Sequence, residues 1–542
     1  MKVFVDFKFV RYINKIVSRK VYILIYAKCC FRGENQTSDN VNFQEGQCQN
    51  MKTYLEPQTV LPVYDECDVL VVGGGSAGHS AAIAAARAGC KNVIIMERYG
   101  YMGGDVTGGY VVMVPKLSWY DKSFVRGLQE EWFTRLGSIP NAVMGPDLSK
   151  IGKDDDPALL NAWARIHGCV SESKPERLVR AVYYEPNQMK IEMDKMLLEH
   201  SDSIRIMCHC WGTKPIMEGN VCKGVIFESK EGRKVVLAKV VIDATGDGDI
   251  VRQSGAPFST LADGKTRCSN TALVWRIGGA SWNRYHEWRL AHPEANQAFR
   301  EGFAKVCGFR AVPMPTPSDD ICWINNWHGD MDCSLIKDCT NTELNTRATM
   351  RDALAYLKEA CPYAFGDAFL YDIAPQLGTR GSCRIGGDYQ MTTDDFAFAK
   401  KHDDVIAWHS TICLINDCAP IEIPYRALLP RNVENIIAPG RHISADNVAI
   451  DWCNLIPQCV GTGQAAGVAA AVAVAKGTTA RDVDIRTVQD ILAGEQDVPL
   501  PRNSHTDISY TEVCEAHEYG LYSELAKKER EKAGALKDYR QW

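Results

Sequence analysis

The chain has 542 residues, 46% hydrophobic and 24% charged, with a formal net charge of -6. Those are ordinary globular proportions, with room for two or three domains or one large composite. The acidic balance argues against nucleic acid as the main partner, and no run reaches the roughly 18 consecutive apolar residues of a membrane span.

The 21 cysteines include no C-x-x-C. Close sets further along, Cys208/Cys210, Cys333/Cys339, Cys413/Cys418 and Cys453/Cys459, do not show the tight repeats of cluster motifs. No metal site is expected. Reduced, buried thiols of a cytoplasmic protein are the simpler reading. Residues 1–50 carry scattered Lys and Arg, a short apolar run Val21–Ala27 and a polar stretch. They read as a disordered or non-native extension, with Met51 as the expected start.

The chemistry begins at Asp68. Asp68–Val72 reads as a short buried strand. Gly73-Gly74-Gly75-Ser76-Ala77-Gly78 then turns it into an Ala-rich helix that stops at Gly89. Three of these glycines have distinct physical roles. Gly73 allows the tight turn, Gly75 lets the backbone approach a pyrophosphate, and Gly78 permits close helix packing. The helix start, with Ser76 and Ala77, offers N–H groups to phosphate. A second strand, Asn92–Met96, ends on Glu97, where a carboxylate can accept hydrogen bonds from ribose hydroxyls. An ordinary β-α-β turn would not require that acid.

Arg98 and a second glycine-rich loop with Gly103, Gly104 and Thr107 follow. Such a loop suits a flavin ring lying close against backbone. Far along the chain, Val240–Asp243 is an apolar strand leading into Ala244-Thr245-Gly246-Asp247. Later still come Gly440-Arg441 and Gly461-Thr462-Gly463-Gln464-Ala465, read as the opening of an Ala/Val-rich helix to Lys476. A second helix N-terminus is what the other end of a flavin dinucleotide would use. Between Met189–His200, a predicted helix, and Val240 lie alternating runs at Ile204–Cys210, Lys214–Met217, Gly224–Ser229 and Val235–Leu237, which predict a strand meander.

These motifs, with Leu377–Tyr389 and Ile423–Pro430, resemble the FAD-dependent oxidoreductase family of the two-dinucleotide-binding-domain flavoprotein superfamily. The closer similarity is to the branch holding the heterodisulfide reductase flavin subunit; fumarate reductase flavoproteins are more distant. The chain departs from that branch at Asn454, where the branch usually has an Arg. The resemblance implies FAD as cofactor and an α/β fold: a Rossmann-like FAD-binding domain with a β-meander and an inserted α+β substrate domain. The expected division is 64–125, 189–256 and 424–485 for the FAD-binding domain, 257–423 for the insert and 486–542 for a helical C-terminal tail.

A two-electron redox reaction on a small organic substrate is the expected function. An electron-transfer subunit is the alternative, and a scaffold that has lost its substrate site is a third. The electron donor or acceptor and any homo-oligomer stay open. Three residues are candidates for catalysis. Arg380 offers a planar fork for a carboxylate or carbonyl, against a structural salt bridge. His328, among aromatics, suits a general acid or base, against a packed histidine. His442 follows the Gly440-Arg441 block.

Overall fold

The computed structural model describes residues 52–115, 117–119, 122–123, 126–152, 156–170, 178–260, 271–329, 331–392, 394–395, 400–409, 420–446 and 449–501. The expected extension 1–50, Cys413/Cys418 and most of the expected tail lie outside the described residues. Residues 52–60 form no helix or strand. A separate compact unit begins at Leu61.

Strand β1 is Val63–Val72, with its last four residues buried. An apolar run without polar alternation suits a central parallel strand covered on both faces. The chain turns through Gly73, at φ +99°, a backbone shape that favours glycine. Helix α1, Ser76–Arg87, follows, then β2, Val93–Met96. After an excursion the chain returns with α2, Pro186–Leu198, β3, Ile204–Met207, β4, Trp211–Glu218, β5, Val221–Ser229, and β6, Gly232–Asp243. The second lobe contributes β7, Trp275–Gly278, β8, Arg310–Pro315, β9, Ile321–Trp327, α3, Ile336–Ala360, and β10, Phe369–Ile373. Last come β11, Ile436–Ile437, α4, Ile456–Lys476, and α5, Ile485–Gly494.

The first sheet runs β3-β2-β1-β6-β5-β4, with β11 also on β6. β1, β2, β3, β6 and β11 are mutually parallel; β5 and β4 add antiparallel. The fold class is thus the α/β one expected, with two differences in the meander. Val235–Leu237 and Val240–Asp243 are one strand, because both halves of β6 pair with β1. Ile204–Met207 is not in the meander but pairs with the outer edge of β2, all four of whose residues are buried.

Helices α1 and α4 cover one face of this sheet, packing on Val69, Val71, Val93, Ile95, Val240 and Ile242. They touch backbone to backbone. A Cβ on Gly463 would stand 2.2 Å from the Ala77 carbonyl oxygen, and one on Gly467 2.1 Å from that of Ala81. By length and composition α4 is apolar enough to cross a membrane, but 83% of its apolar window is buried inside the protein.

The second lobe is an antiparallel sheet, β8-β9-β7-β10, whose core holds Trp275, Trp323, Phe299, Phe303 and Phe365. Its boundaries differ from 257–423. Tyr110, Val112, Ala181 and Tyr183 pack into this lobe. Conversely Ile406, Trp408, Ile421 and Ile423 belong to the first core, because the hairpin Val405–His409/Ile421–Pro424 is buried there. Ile485–Gly494, assigned in part to the tail, is a helix whose Val488 and Leu492 join that core too. Arg276 on β7 is fully buried, with Glu185 at 2.6 Å and Asp372 at 2.5 Å. It ties the lobe to the start of α2.

Three buried histidines make this fold acid-sensitive. His79, His328 and His409 are each pushed down to about 4 by burial. In the unfolded chain a histidine titrates near 6.5, so between those values the unfolded state binds protons that the folded state excludes. Stability should fall as pH drops through that window, by up to roughly 3 kcal/mol per histidine. Melting temperatures recorded across the window test this, and His409→Leu should flatten the slope. An unaltered slope in that variant contradicts the account.

Candidate active site

A cavity opens at the carboxyl ends of the parallel strands. Val72 and Gly73 line it from β1, Met96 and Glu97 from β2, and Ala244, Thr245 and Gly246 from β6. Open α/β sheets bind ligands at that end. The cavity holds about 1510 Å3 of space outside protein atoms, part of it open to solvent. Among the described residues no group of three or more His, Cys, Asp or Glu is gathered as a metal ion would need.

Two helix starts face this space. Gly75 caps α1 with no side-chain hydrogen bond and no acidic residue in the first turn. A Cβ built on Gly75 meets nothing within 4 Å. Gly75, Ser76 and Ala77 all line the cavity, so a phosphate can approach the backbone there. Gly78 does not line it. Instead its Cα lies so close to the turn that a Cβ would meet the Gly73 carbonyl oxygen at 1.8 Å.

The second start is α4, and here the expectation needs correcting. The helix begins at Ile456, five residues before Gly461. Leu455, Ile456, Pro457 and Cys459 line the cavity; Gly461, Thr462, Gly463, Gln464 and Ala465 do not. The second glycine of that run is used for the contact with α1. Thr462 Oγ1 accepts the Gly440 N–H at 3.0 Å, and Gln464 Oε1 accepts that of Leu128 at 3.2 Å. These residues support the site from behind. Pro457 near the helix start is the signal that the glycines obscure.

Glu97 ends β2 as expected. Its Oε2 accepts the Gly74 N–H at 2.6 Å and its Oε1 the Tyr99 N–H at 2.9 Å. Burial raises its pKa, and these backbone bonds oppose the rise. Each oxygen keeps a lone pair for a ribose hydroxyl. Arg98 lines the cavity beside it, its guanidinium 5.0 Å from the Tyr99 ring and 5.3 Å from that of Trp211. Cys210, Trp211 and Gly212 also line this end; nothing in their sequence pattern marks them out.

Gly104 reaches the cavity and packs against Gly75. Gly103 and Thr107 do not. The Gly103 N–H bonds the Gly74 carbonyl at 2.7 Å, and the Thr107 hydroxyl bonds the Met102 carbonyl, which fixes the loop. Next to it, Gly440 and Arg441 line the cavity. Arg441 binds Asp247 at 3.0 Å, Thr379 Oγ1 at 2.7 Å and Asp105 at 3.4 Å. Asp247 does not line the cavity; it accepts from Arg441 and from the Ser382 N–H at 3.0 Å.

Arg380 lines the cavity with Val274, Asn325, Gln376, Thr379 and Asn454. Asn454 Nδ2 donates to the Arg380 carbonyl at 3.4 Å, so Asn454 sits beside the candidate arginine. The two histidine candidates lie elsewhere. His328 is buried in the second lobe, 2.8 Å from Thr346 Oγ1 and 3.9 Å from the Phe309 ring. His442 is fully buried, with Nε2 4.0 Å from Asp243 Oδ1. Neither lines the cavity.

A dinucleotide-binding sheet, two helix starts aimed at one cavity and a second lobe closing it make the architecture of a flavoprotein. The chain belongs to the FAD dependent oxidoreductase family, whose profile matches residues 68–492. It is an oxidoreductase that uses FAD. The residues present fit that group: the open cradle at Gly75 would take the pyrophosphate, Glu97 would hold the ribose, and the glycine loop at Gly104 would lie on the ring side. A urocanate reductase from Eggerthella lenta is 43% identical over 110 residues, covering 19% of this chain and only 16% of that protein. Among solved structures, a geranylgeranyl bacteriochlorophyll reductase-like protein from Thermoplasma acidophilum has a TM-score of 0.41 at 14% identity, covering 79% of this chain and 82% of that one. A p-nitrophenol 4-monooxygenase from Pseudomonas putida has a TM-score of 0.40 at 12% identity, covering 86% and 93%.

Proposed function

We propose that this oxidoreductase carries out a two-electron oxidation or reduction of a small organic substrate, held where the second lobe closes the cavity. FAD supplies the electron chemistry; the protein's part is to bind it, orient the substrate and manage protons. The observation that carries this reading is the shared wall. Val274, Asn325, Gln376 and Arg380 face the same cavity as the dinucleotide-binding turn. A guanidinium there can grip two oxygens of a substrate at once. An electron-transfer subunit would have less use for such a polar wall. A cytoplasmic location is likewise proposed, on cysteine spacing alone.

The test is anaerobic mixing of the FAD-loaded protein with a panel of small carboxylates, alcohols and amines, urocanate included, and their reduced or oxidised partners. Bleaching of the flavin, or reoxidation of pre-reduced flavin, by one of them is the expected result. Electron exchange with redox proteins alone would favour the electron-transfer reading.

Arg380→Lys is expected to lower turnover per bound FAD by tenfold or more, about 1.4 kcal/mol, with FAD content unchanged. Lys keeps the charge and loses the fork. Normal turnover per flavin with a lowered melting temperature would make Arg380 a structural residue.

A further inference from the structure

Oxidising a substrate by taking a hydride from carbon and forming a double bond to a neighbouring atom also releases a proton, which a positioned side chain can hold. This inference rests on the redox reading above. The histidines expected to do so are not in the cavity. Apart from arginines, the titratable side chains lining it are Glu97, Tyr99, Asp105, Cys210, Asp249 and Cys459. Glu97 is engaged by two backbone N–H groups. Burial pushes the Cys459 thiol up to about 12 and raises that of Cys210. The Tyr99 ring stacks on Tyr101 beside Arg98. Two aspartates remain.

Asp105 sits on the glycine loop, where its carbonyl accepts the Val111 N–H at 3.0 Å. Its Oδ2 is 3.4 Å from Arg441 Nη1. Among the described residues its Oδ1, closed off from solvent, has no hydrogen-bond partner. Arg441 is shared with Asp247, which it binds more closely, at 3.0 Å. The charges acting on Asp105 are Arg441, Arg380 and Arg98, opposed by Asp247. The Asp105 charge in turn raises the Tyr184 hydroxyl and the Cys459 thiol.

Burial raises the Asp105 carboxyl above its ordinary value, with Arg441 pulling the other way. Burial pushes Asp247 in the same direction, but Arg441 and hydrogen bonding from Ser382 bring it below the ordinary value. Two carboxylates on one guanidinium are thus driven apart. That arrangement separates a proton carrier from a permanent anion.

We propose that Asp105 holds and transfers the proton of the redox reaction in this cavity, while Asp247 stays as the counter-ion of Arg441. In the oxidative direction the substrate has hydrogens on carbon and on a neighbouring C, N or O atom. The C–H bond breaks and its hydride, with both electrons, goes to oxidised FAD. The neighbouring hydrogen leaves as a proton to the Asp105 carboxylate, and a double bond forms between the two atoms. The substrate is oxidised and the flavin reduced. In the reductive direction the same atoms return.

The competing group is Asp249, pushed up to about 7 by burial, with Asp247 and Asp243 adding to the rise. The midpoint potential of the bound FAD, followed against pH by spectroelectrochemistry, separates the two. A carboxyl coupled to the flavin's redox state puts a bend in that plot. The expected result is a bend above the ordinary carboxylate range that Asp105→Asn abolishes, Asp105→Glu displaces and Asp249→Asn leaves in place. A wild-type plot without a bend, a bend that survives Asp105→Asn, or one lost only in Asp249→Asn overturns the proposal. If Asp105→Asn holds no FAD, the Glu variant decides, and an undisplaced bend overturns it. In these failures FAD is still bound and reduced, so the small-substrate reading stands; that reading fails separately, if no member of the substrate panel bleaches or reoxidises the flavin.

Discussion

Gly463→Val is expected to destabilise the protein by about 3 kcal/mol or more, the upper range for overpacking a tight core. Its Cβ would lie 2.2 Å from the Ala77 carbonyl oxygen, 2.7 Å from the Ala77 Cα and 2.8 Å from the carbonyl carbon. All three are backbone atoms of α1, so no side chain can turn aside. The helices must separate, and Ala77, which lines the cavity, moves with them. Denaturant midpoints for this variant and for Gly494→Ala, where a Cβ meets nothing within 4 Å, make the comparison. Equal stability in the two would mean that α1 and α4 are not in backbone contact.

Gly75→Val should have the opposite signature. The backbone there, at φ -64° and ψ -173°, is extended enough for valine, and the space ahead of it is open. The FAD-free protein should therefore melt as the wild type does. Its affinity for FAD should fall at least a hundredfold, about 2.7 kcal/mol, because the added methyl groups stand where the pyrophosphate must approach. FAD binding followed by quenching of flavin fluorescence reads this directly. Full affinity would mean that the turn serves the fold alone.

These two glycines also show what can be read from the sequence. Gly75 is legible because local chain geometry sets its role: strand, turn and helix are contiguous, and Glu97 lies one strand away. The Ala244–Gly246 turn is legible for the same reason. Gly463 has the same local look, a small residue at the apparent start of an apolar helix. Its role is set by α1, nearly four hundred residues earlier, and no local pattern reveals that contact. Pro457 points to the true helix start, but the glycines downstream mask it.

The histidines illustrate a related difficulty. His328 follows Asn326-Trp327 and precedes Gly329, a setting equally suited to a site or to a core. Only the pairing of β9 with β7 and β8 and the hydrogen bond to Thr346 place it inside the second lobe. Asp105 lies in plain view within the glycine loop. Its significance comes from Arg441 and Asp247, which the fold brings to it from two distant segments. Lobe boundaries are hidden for the same reason, since Trp408 and Ile423 join the first core only because their hairpin packs there.

The measurement that tests the account most directly is the flavin content of the purified protein. The protein should be yellow, or become so when FAD is added, and should release FAD on denaturation at close to one molecule per chain. A correctly folded protein that stays colourless and takes up no FAD would contradict the family's cofactor, the role of Gly75 and Glu97, and every inference built on the cavity.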